Sequence, residues 1–171
     1  MNFEDFIIPP KKIRAEKWQI GDKIINDIKE DGIVLLFVSD YRGADGDAES
    51  QDFTGVRREF YKLSQLDFDI PVIDLGDLVS GRTIHDSHYI LQEVLSACHY
   101  KNAIPVIVGG SNDFAFSLFS ALNFHQNNIN YTQISNVVSL KQDEEIHESN
   151  FLSKILGSKN FSIKNYHHLG Y

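Results

Sequence analysis

The stretch from Ile104 to Leu122, IPVIVGGSNDFAFSLFSAL, leaves few folds open to this chain. Ile104, Pro105, Val106, Ile107 and Val108 make a mostly apolar run of strand length, read as buried. Gly109 and Gly110 then permit a sharp turn, because only glycine enters positive φ without steric cost. Ser111, Asn112 and Asp113 are all residue types that favour helix N-caps. Phe114, Phe116, Leu118, Phe119, Ala121 and Leu122 supply the apolar faces of a helix. A strand that turns through glycines into a helix is the carboxyl end of a parallel β-strand, where open α/β sheets place their ligands.

The rest of the chain repeats the alternation. Ile33 to Ser39 (IVLLFVS) is continuously apolar and branched, the pattern of a central parallel strand buried on both faces. Ile70 to Gly76 (IPVIDLG) reads as a second buried strand, with Asp74 as a loop-anchoring acceptor in preference to a functional carboxylate. Helices are expected over Phe53 to Leu66, with Val56, Phe60 and Leu63 on the buried face, and over Thr83 to Tyr100. In the second helix Thr83 or Asp86 can cap, and Ile90, Leu91, Val94, Leu95 and Cys98 line the apolar face. Ile129 to Leu140 reads as a strand, Asn150 to Leu156 as a short helix and Phe161 to Tyr166 as a further strand. Residues 1–32 read as leader and cover, with Pro9 and Pro10 holding the chain extended and Lys11 to Glu30 helical or irregular. The order predicts an α/β domain over 1–171, a three-layer α/β/α arrangement with a mainly parallel sheet and its core in 33–171.

Charge and cysteine content narrow the function. With 24 acidic against 16 basic residues the net charge is -8, which argues against nucleic-acid or anionic-membrane partners. No apolar run approaches the ~20 residues of a transmembrane helix. The start, MNFEDFIIPPKK, lacks the basic region and long apolar core of a signal peptide. A single cysteine, Cys98, cannot form an intrachain disulfide and reads as a buried thiol, consistent with a cytoplasmic setting.

Several motif-like clusters fall short of a site. Asp45, Asp47 and Glu49 alternate like a calcium loop, but Ser50 stands where that motif needs Gly and Val56 where it needs Glu, so a solvated acidic loop is expected. Arg57 and Arg58 read as a surface pair. His85 and His88 share a helical face without further zinc ligands and read as a solvated first turn. His167 and His168 are adjacent on a strand and point opposite ways. Gly-Gly-Ser-Asn is neither a P-loop nor a dinucleotide fingerprint, although a diglycine at a helix start leaves a small-molecule-binding α/β module open.

The segments IVLLFVSDYRGADGD, FTGVRREFYKL, IPVIDLGDL and IPVIVGGSNDFAFSLFSAL, in this order, resemble the amino-terminal half of the ureohydrolases: arginase, agmatinase and formiminoglutamase. The resemblance covers about residues 33–171 and is nearer the formiminoglutamase-like branch. It implies an arginase-like fold that is incomplete at the carboxyl end. It also implies a catalytic pattern in which two manganese ions activate a bridging hydroxide that attacks a guanidinium or formimino carbon.

Carried over position by position, the resemblance places the Asp and His of the family's Gly-Gly-Asp-His motif at Ser111 and Asn112. The Asp-x-His-x-Asp motif falls on Ser135, Val137 and Ser139, and a later Asp-x-Asp motif would lie beyond Tyr171. Manganese prefers carboxylate and imidazole, whereas these positions offer an amide, hydroxyls and an alkyl group. Asp113 is one carboxylate, expected at the helix start in contact with its free amides. No metal or other cofactor is therefore expected in this chain, and without metal no hydroxide forms near neutral pH. His147, in EIHESNF, is comparable with a substrate-loop His of arginases. The expectation is a catalytically degenerate ureohydrolase-like chain that acts by binding or assembly, with itself or with the remainder of a longer chain. The alternative is a manganese-dependent hydrolase of linear amidines whose active residues lie in a missing half.

Overall fold

The computed structural model describes residues 3–45, 49–65, 69–125 and 128–170. Its strands are β1 (Ile7–Ile8), β2 (Ile33–Val38), β3 (Val72–Leu78), β4 (Ile104–Gly109), β5 (Ile129–Ile134) and β6 (Ile163–Leu169). Its α-helices are α1 (Thr54–Tyr61), α2 (Ile84–Tyr100), α3 (Phe114–His125) and α4 (Phe151–Gly157). The expected alternation of strand and helix is present.

The strands form two sheets. One has the order β1-β3-β2-β4, and the other is the pair β5-β6. β2 runs parallel to both β3 and β4, and β5 parallel to β6, while β1 adds antiparallel to β3. The leader thus contributes a strand as well as cover. Residues after Pro10 are irregular, with one 3-10 turn at Ile20–Asp22 and a bridge from Ile25 to Ile73.

Alternation along β2 divides the core. Val34, Leu36 and Val38 face a cluster with Ile73, Leu75, Leu91, Val94, Leu95 and Cys98, so α2 covers that side. Leu35 and Phe37 face the other way, onto Phe53, Phe60 and Val108 beside α1. Helices on both faces of a mainly parallel sheet give the expected three layers. Each of these large apolar side chains contributes roughly 1.5–3 kcal/mol on full burial. Helix α2 starts as read, with Thr83 Oγ1 accepting from Asp86 N–H and Asp86 accepting from Thr83 N–H.

Three readings change. Helix α1 buries Arg57 and Tyr61, while Val56 and Leu63 are exposed, so the expected apolar face and the surface arginine pair are both corrected. The cause is an ion pair inside the fold. Arg57 Nε donates to Asp74 Oδ2 at 2.7 Å, Arg57 Nη1 to Asp77 at 3.1 Å, and Tyr61 Oη to Asp74 Oδ2 at 2.9 Å. Arg57 also lies 4.1 Å from the Phe37 ring centre. Arg58 remains on the surface. Secondly, β4 is not the buried strand expected but the end of its sheet among the described residues, with Ile104 63% and Val106 38% exposed. Thirdly, β5 stops at Ile134 because Ser135 Oγ accepts from Val137 N–H and turns the chain.

Candidate functional site

The sheet changes direction at β2. β3 lies on one side of β2 and β4 on the other, and the connections after β2 and β4 lead to α1 and α3. The crevice between the carboxyl ends of β2 and β4 is the place for a ligand in an open α/β sheet. The diglycine tip forms one wall. Gly109 and Gly110 have φ of 87° and 75°, as the turn requires. A Cβ on Gly109 would collide with the Phe53 ring and the Val38 carbonyl. The tip is tied to the loop after β2 by Ser111 N–H donating to Asp40 O at 3.2 Å.

Asp40, the first carboxylate after β2, is buried and fully engaged. Arg42 Nε and Nη2 reach its two oxygens at 3.0 and 2.6 Å, and Ser87 Oγ donates to Oδ2 at 2.7 Å. Burial pushes the Asp40 carboxyl up, but hydrogen bonds from Arg42 and Ser87 outweigh it and leave it below its ordinary value. Arg42 also donates to the carbonyls of Gly81 and Arg82 ahead of α2, which locks the loop after β2 onto the start of that helix.

Asp113 takes a different role from the one expected. Its carboxylate is fully buried and turns into the interior, where His88 Nε2 donates to Oδ2 at 2.8 Å. The other ring nitrogen of His88 meets Ser117 Oγ at 2.7 Å, and the Phe114 ring packs over the imidazole with centres 4.6 Å apart. Oδ1 of Asp113 and Oγ of Ser111 have no partner among the described residues. The expected solvated His85/His88 turn is corrected for His88, which α2 presents to α3 as a buried partner. Asn112, between the two buried residues, is exposed.

The remaining carried-over positions do not assemble beside this tip as a strand face. Ser135 and Val137 lie in the turn after β5, and Ser139 is buried with its carbonyl accepting from Ser153 N–H at 3.2 Å. His147 belongs to a loop that docks on the loop after β2, through Glu148 N–H to Gly43 O at 2.8 Å and Asp45 N–H to Glu148 Oε1 at 2.7 Å. Both His147 ring nitrogens are used locally, Nδ1 accepting from Ser149 N–H at 3.3 Å and Nε2 donating to Asp143 at 2.9 Å. Asp45 is held by Lys141 and Ser149, so at this residue the expected solvated acidic loop is tied down. Asp47 of that pattern lies outside the described residues. Among the described residues no three His, Cys, Asp or Glu side chains are grouped so as to hold a metal ion. The donor chemistry of Ser111, Asn112, Ser135, Val137 and Ser139 does not fit two manganese ions.

Asp40, Arg42 and Ser87 were not legible as a site from sequence. Polar residues after a strand are ordinary loop composition, and Ser87 lies 47 positions from Asp40 and 45 from Arg42. His88 carried a signal only in retrospect, as a polar residue in register with Leu91 and Leu95 on the buried face of α2.

No protein-family model matches the sequence, and no curated protein matches it. Solved structures do. Formimidoylglutamase from Bacillus subtilis subsp. subtilis str. 168 superposes with a TM-score of 0.70 at 17% identity, over 98% of this chain and 52% of that one. An arginase superfamily protein from Trypanosoma cruzi gives 0.67 at 18% identity, over 81% and 51%. Proclavaminate amidino hydrolase from Streptomyces clavuligerus gives 0.64 at 13% identity, over 81% and 50%. The chain has the ureohydrolase fold. It spans about half the length of the ureohydrolase structures it matches. No helix among the described residues is long and apolar enough to cross a membrane.

Proposed function

We infer that this chain is a ureohydrolase-fold unit that has lost the binuclear manganese site and the hydrolase activity, and that it acts by binding or assembly. The observation that carries the reading is the tip after β4. The position that the resemblance gives to a metal-binding His is Asn112, exposed and neutral, and the neighbouring Asp113 is turned away to His88. Residues 1–171 act as one arginase-like unit, 1–32 as cover and 33–171 as core, and belong to an assembly that completes the fold. That completion comes from a second copy or from the remaining half, without nucleic acid or membrane. The buried, lone Cys98 supports a cytoplasmic setting.

The test is metal content and turnover of the purified chain. Manganese is measured after dialysis against the free ion, and urea or formamide release is followed from arginine, agmatine and formiminoglutamate. The expected result is neither bound manganese nor release. Stoichiometric manganese with turnover would overturn the reading and return the chain to the linear-amidine hydrolases.

A further inference from the structure

The outer edge of β3 is interrupted. β1 pairs with it at Asp77 and Leu78 and stops at Ile8. The chain returns to the same edge at Ile25, whose N–H donates to Val72 O at 3.2 Å and whose carbonyl accepts from Asp74 N–H at 2.9 Å. Leu75 and Gly76 lie between these two attachments. β3 also carries a bulge there, because Leu35 pairs with Asp74 and Leu36 with Gly76, which leaves Leu75 without a partner on β2. A bulge of this kind re-aims a side chain and interrupts pairing, and bulges are frequent beside binding sites. Gly76 has φ of 110°, and a Cβ on it would run into the Ile8 carbonyl.

A cavity of about 650 Å³ opens over this gap, on the face of the sheet that α2 covers. Its apolar walls are Leu75 of the bulge, Ile7 and Pro9 of the leader, Ile28 of the cover and Ala97 of α2. That size and lining suit a small molecule, whose sites span roughly 300–1,000 Å³ with a few polar groups. Lys29, Lys101 and Asp27 bring the charges. Lys29 has no ion-pair partner among the described residues, and Lys101 meets only Glu30, at 3.9 Å with both side chains exposed. Neither ammonium is needed to cap α2, since the carbonyls of Cys98 and His99 accept from the N–H groups of Lys101, Asn102 and Ala103. Two ammoniums against one carboxylate leave a single positive charge beside an apolar cavity, in a chain whose net charge is -8. We propose that the cavity binds an apolar monocarboxylate. Its hydrocarbon or aryl body lies over Leu75 and Ala97, and its carboxylate is directed to Lys29 and Lys101, whose stems follow the apolar wall. The site lies beyond β3, with β3 and β2 between it and the crevice at β4, so it does not depend on the fate of the metal centre.

The probe is anilinonaphthalene sulfonate, an apolar monoanion whose fluorescence rises on leaving water, titrated into the full chain. One saturable site is expected, from which decanoate displaces the probe and decylammonium and inorganic phosphate do not. Lys29→Gln with Lys101→Gln should weaken the probe about tenfold, the worth of two exposed charges. Lys29→Glu with Lys101→Glu should reverse the preference, so that decylammonium binds and decanoate does not. Both lysines are exposed, so these variants leave the core untouched. Ala97→Phe fills the cavity and should abolish binding, with the urea midpoint measured alongside to show that the fold is kept. Absence of a saturable site overturns the proposal, as does displacement by decylammonium or by phosphate equal to that by decanoate. Charge variants that bind as the parent does would overturn it too, as would undiminished binding in a folded Ala97→Phe chain.

Discussion

Replacing Arg57 by methionine tests the buried ion pair that sets the orientation of α1. Asp74 has no exposed surface and receives four hydrogen bonds, two from Arg57, one from Tyr61 Oη and one from Gly76 N–H. Methionine fills much of the arginine volume and keeps an apolar contact with Phe37, so packing loss is small. What remains is a carboxylate in the core with two neutral donors and no cation. Removing one partner of a buried pair costs about 3–5 kcal/mol, far more than the pair is worth against an apolar replacement of both partners. For a chain of this size each kcal/mol lowers Tm by about 2–4 °C, so a fall of about 6–20 °C is expected. Urea unfolding followed by far-UV circular dichroism reads the same loss as a lower midpoint at unchanged slope. Tyr61→Phe removes one hydrogen bond to the same carboxylate and is expected to cost about 1.5–3 kcal/mol. A loss below about 1 kcal/mol for Arg57→Met would refute the buried pairing of Asp74 with Arg57, since surface pairs are worth only that much.

Gly109→Ala forces a side chain into a left-handed turn and onto Phe53 and Val38, so a loss of more than about 1 kcal/mol is expected in the same urea assay. Burial pushes the Cys98 thiol up to about 12, so the native protein should resist a thiol reagent at pH 8 and react only on unfolding, read as the labelling rate against urea concentration. Asp40 titrates below its ordinary value in the folded state, so its contribution to stability is complete above the unfolded pKa and is lost as pH falls through the folded one. Arg42→Gln should therefore lower the urea midpoint near neutral pH, and its gap from the parent should close as pH falls below the ordinary carboxylate range.

How far the sequence could be read depended on what held each element. β2, β3 and α2 are specified by apolar pattern alone, and the capping pair Thr83/Asp86 marks its own helix start. Helix α1 misled because periodicity counts hydrophobicity and cannot see that Arg57 and Tyr61, four apart, find a carboxylate on β3. The apolar residues Val56 and Leu63 then lie outward. The same blindness hid His88, whose partner Asp113 is 25 positions away. The division into two sheets was also illegible. An apolar run declares a strand but not its neighbours, so β4 reads as buried although it ends its sheet among the described residues. At the candidate site the tip, its glycines and the identity of Asn112 were visible from sequence, while the exposure of Asn112 and the inward turn of Asp113 were not.

That inward turn bears on how reversible the proposed loss of chemistry is. A two-metal centre needs several anionic oxygens directed into one crevice. Here the carboxylates of this region are committed to the fold: Asp40 after β2 to Arg42 and Ser87, Asp74 within β3 to Arg57 and Tyr61, Asp77 near the end of β3 to Arg57, and Asp113 after β4 to His88. Restoring an imidazole at Asn112 would give one neutral ligand, with Ser135, Val137 and Ser139 still offering two hydroxyls and an alkyl group. Recruiting Asp113 would leave His88 Nε2 in the core without its partner, a cost of the order of a lost buried hydrogen bond. Under the proposed reading, then, the tip is not an active site one substitution away from function. Its polar residues serve as internal fasteners between α2, α3 and the loop after β2.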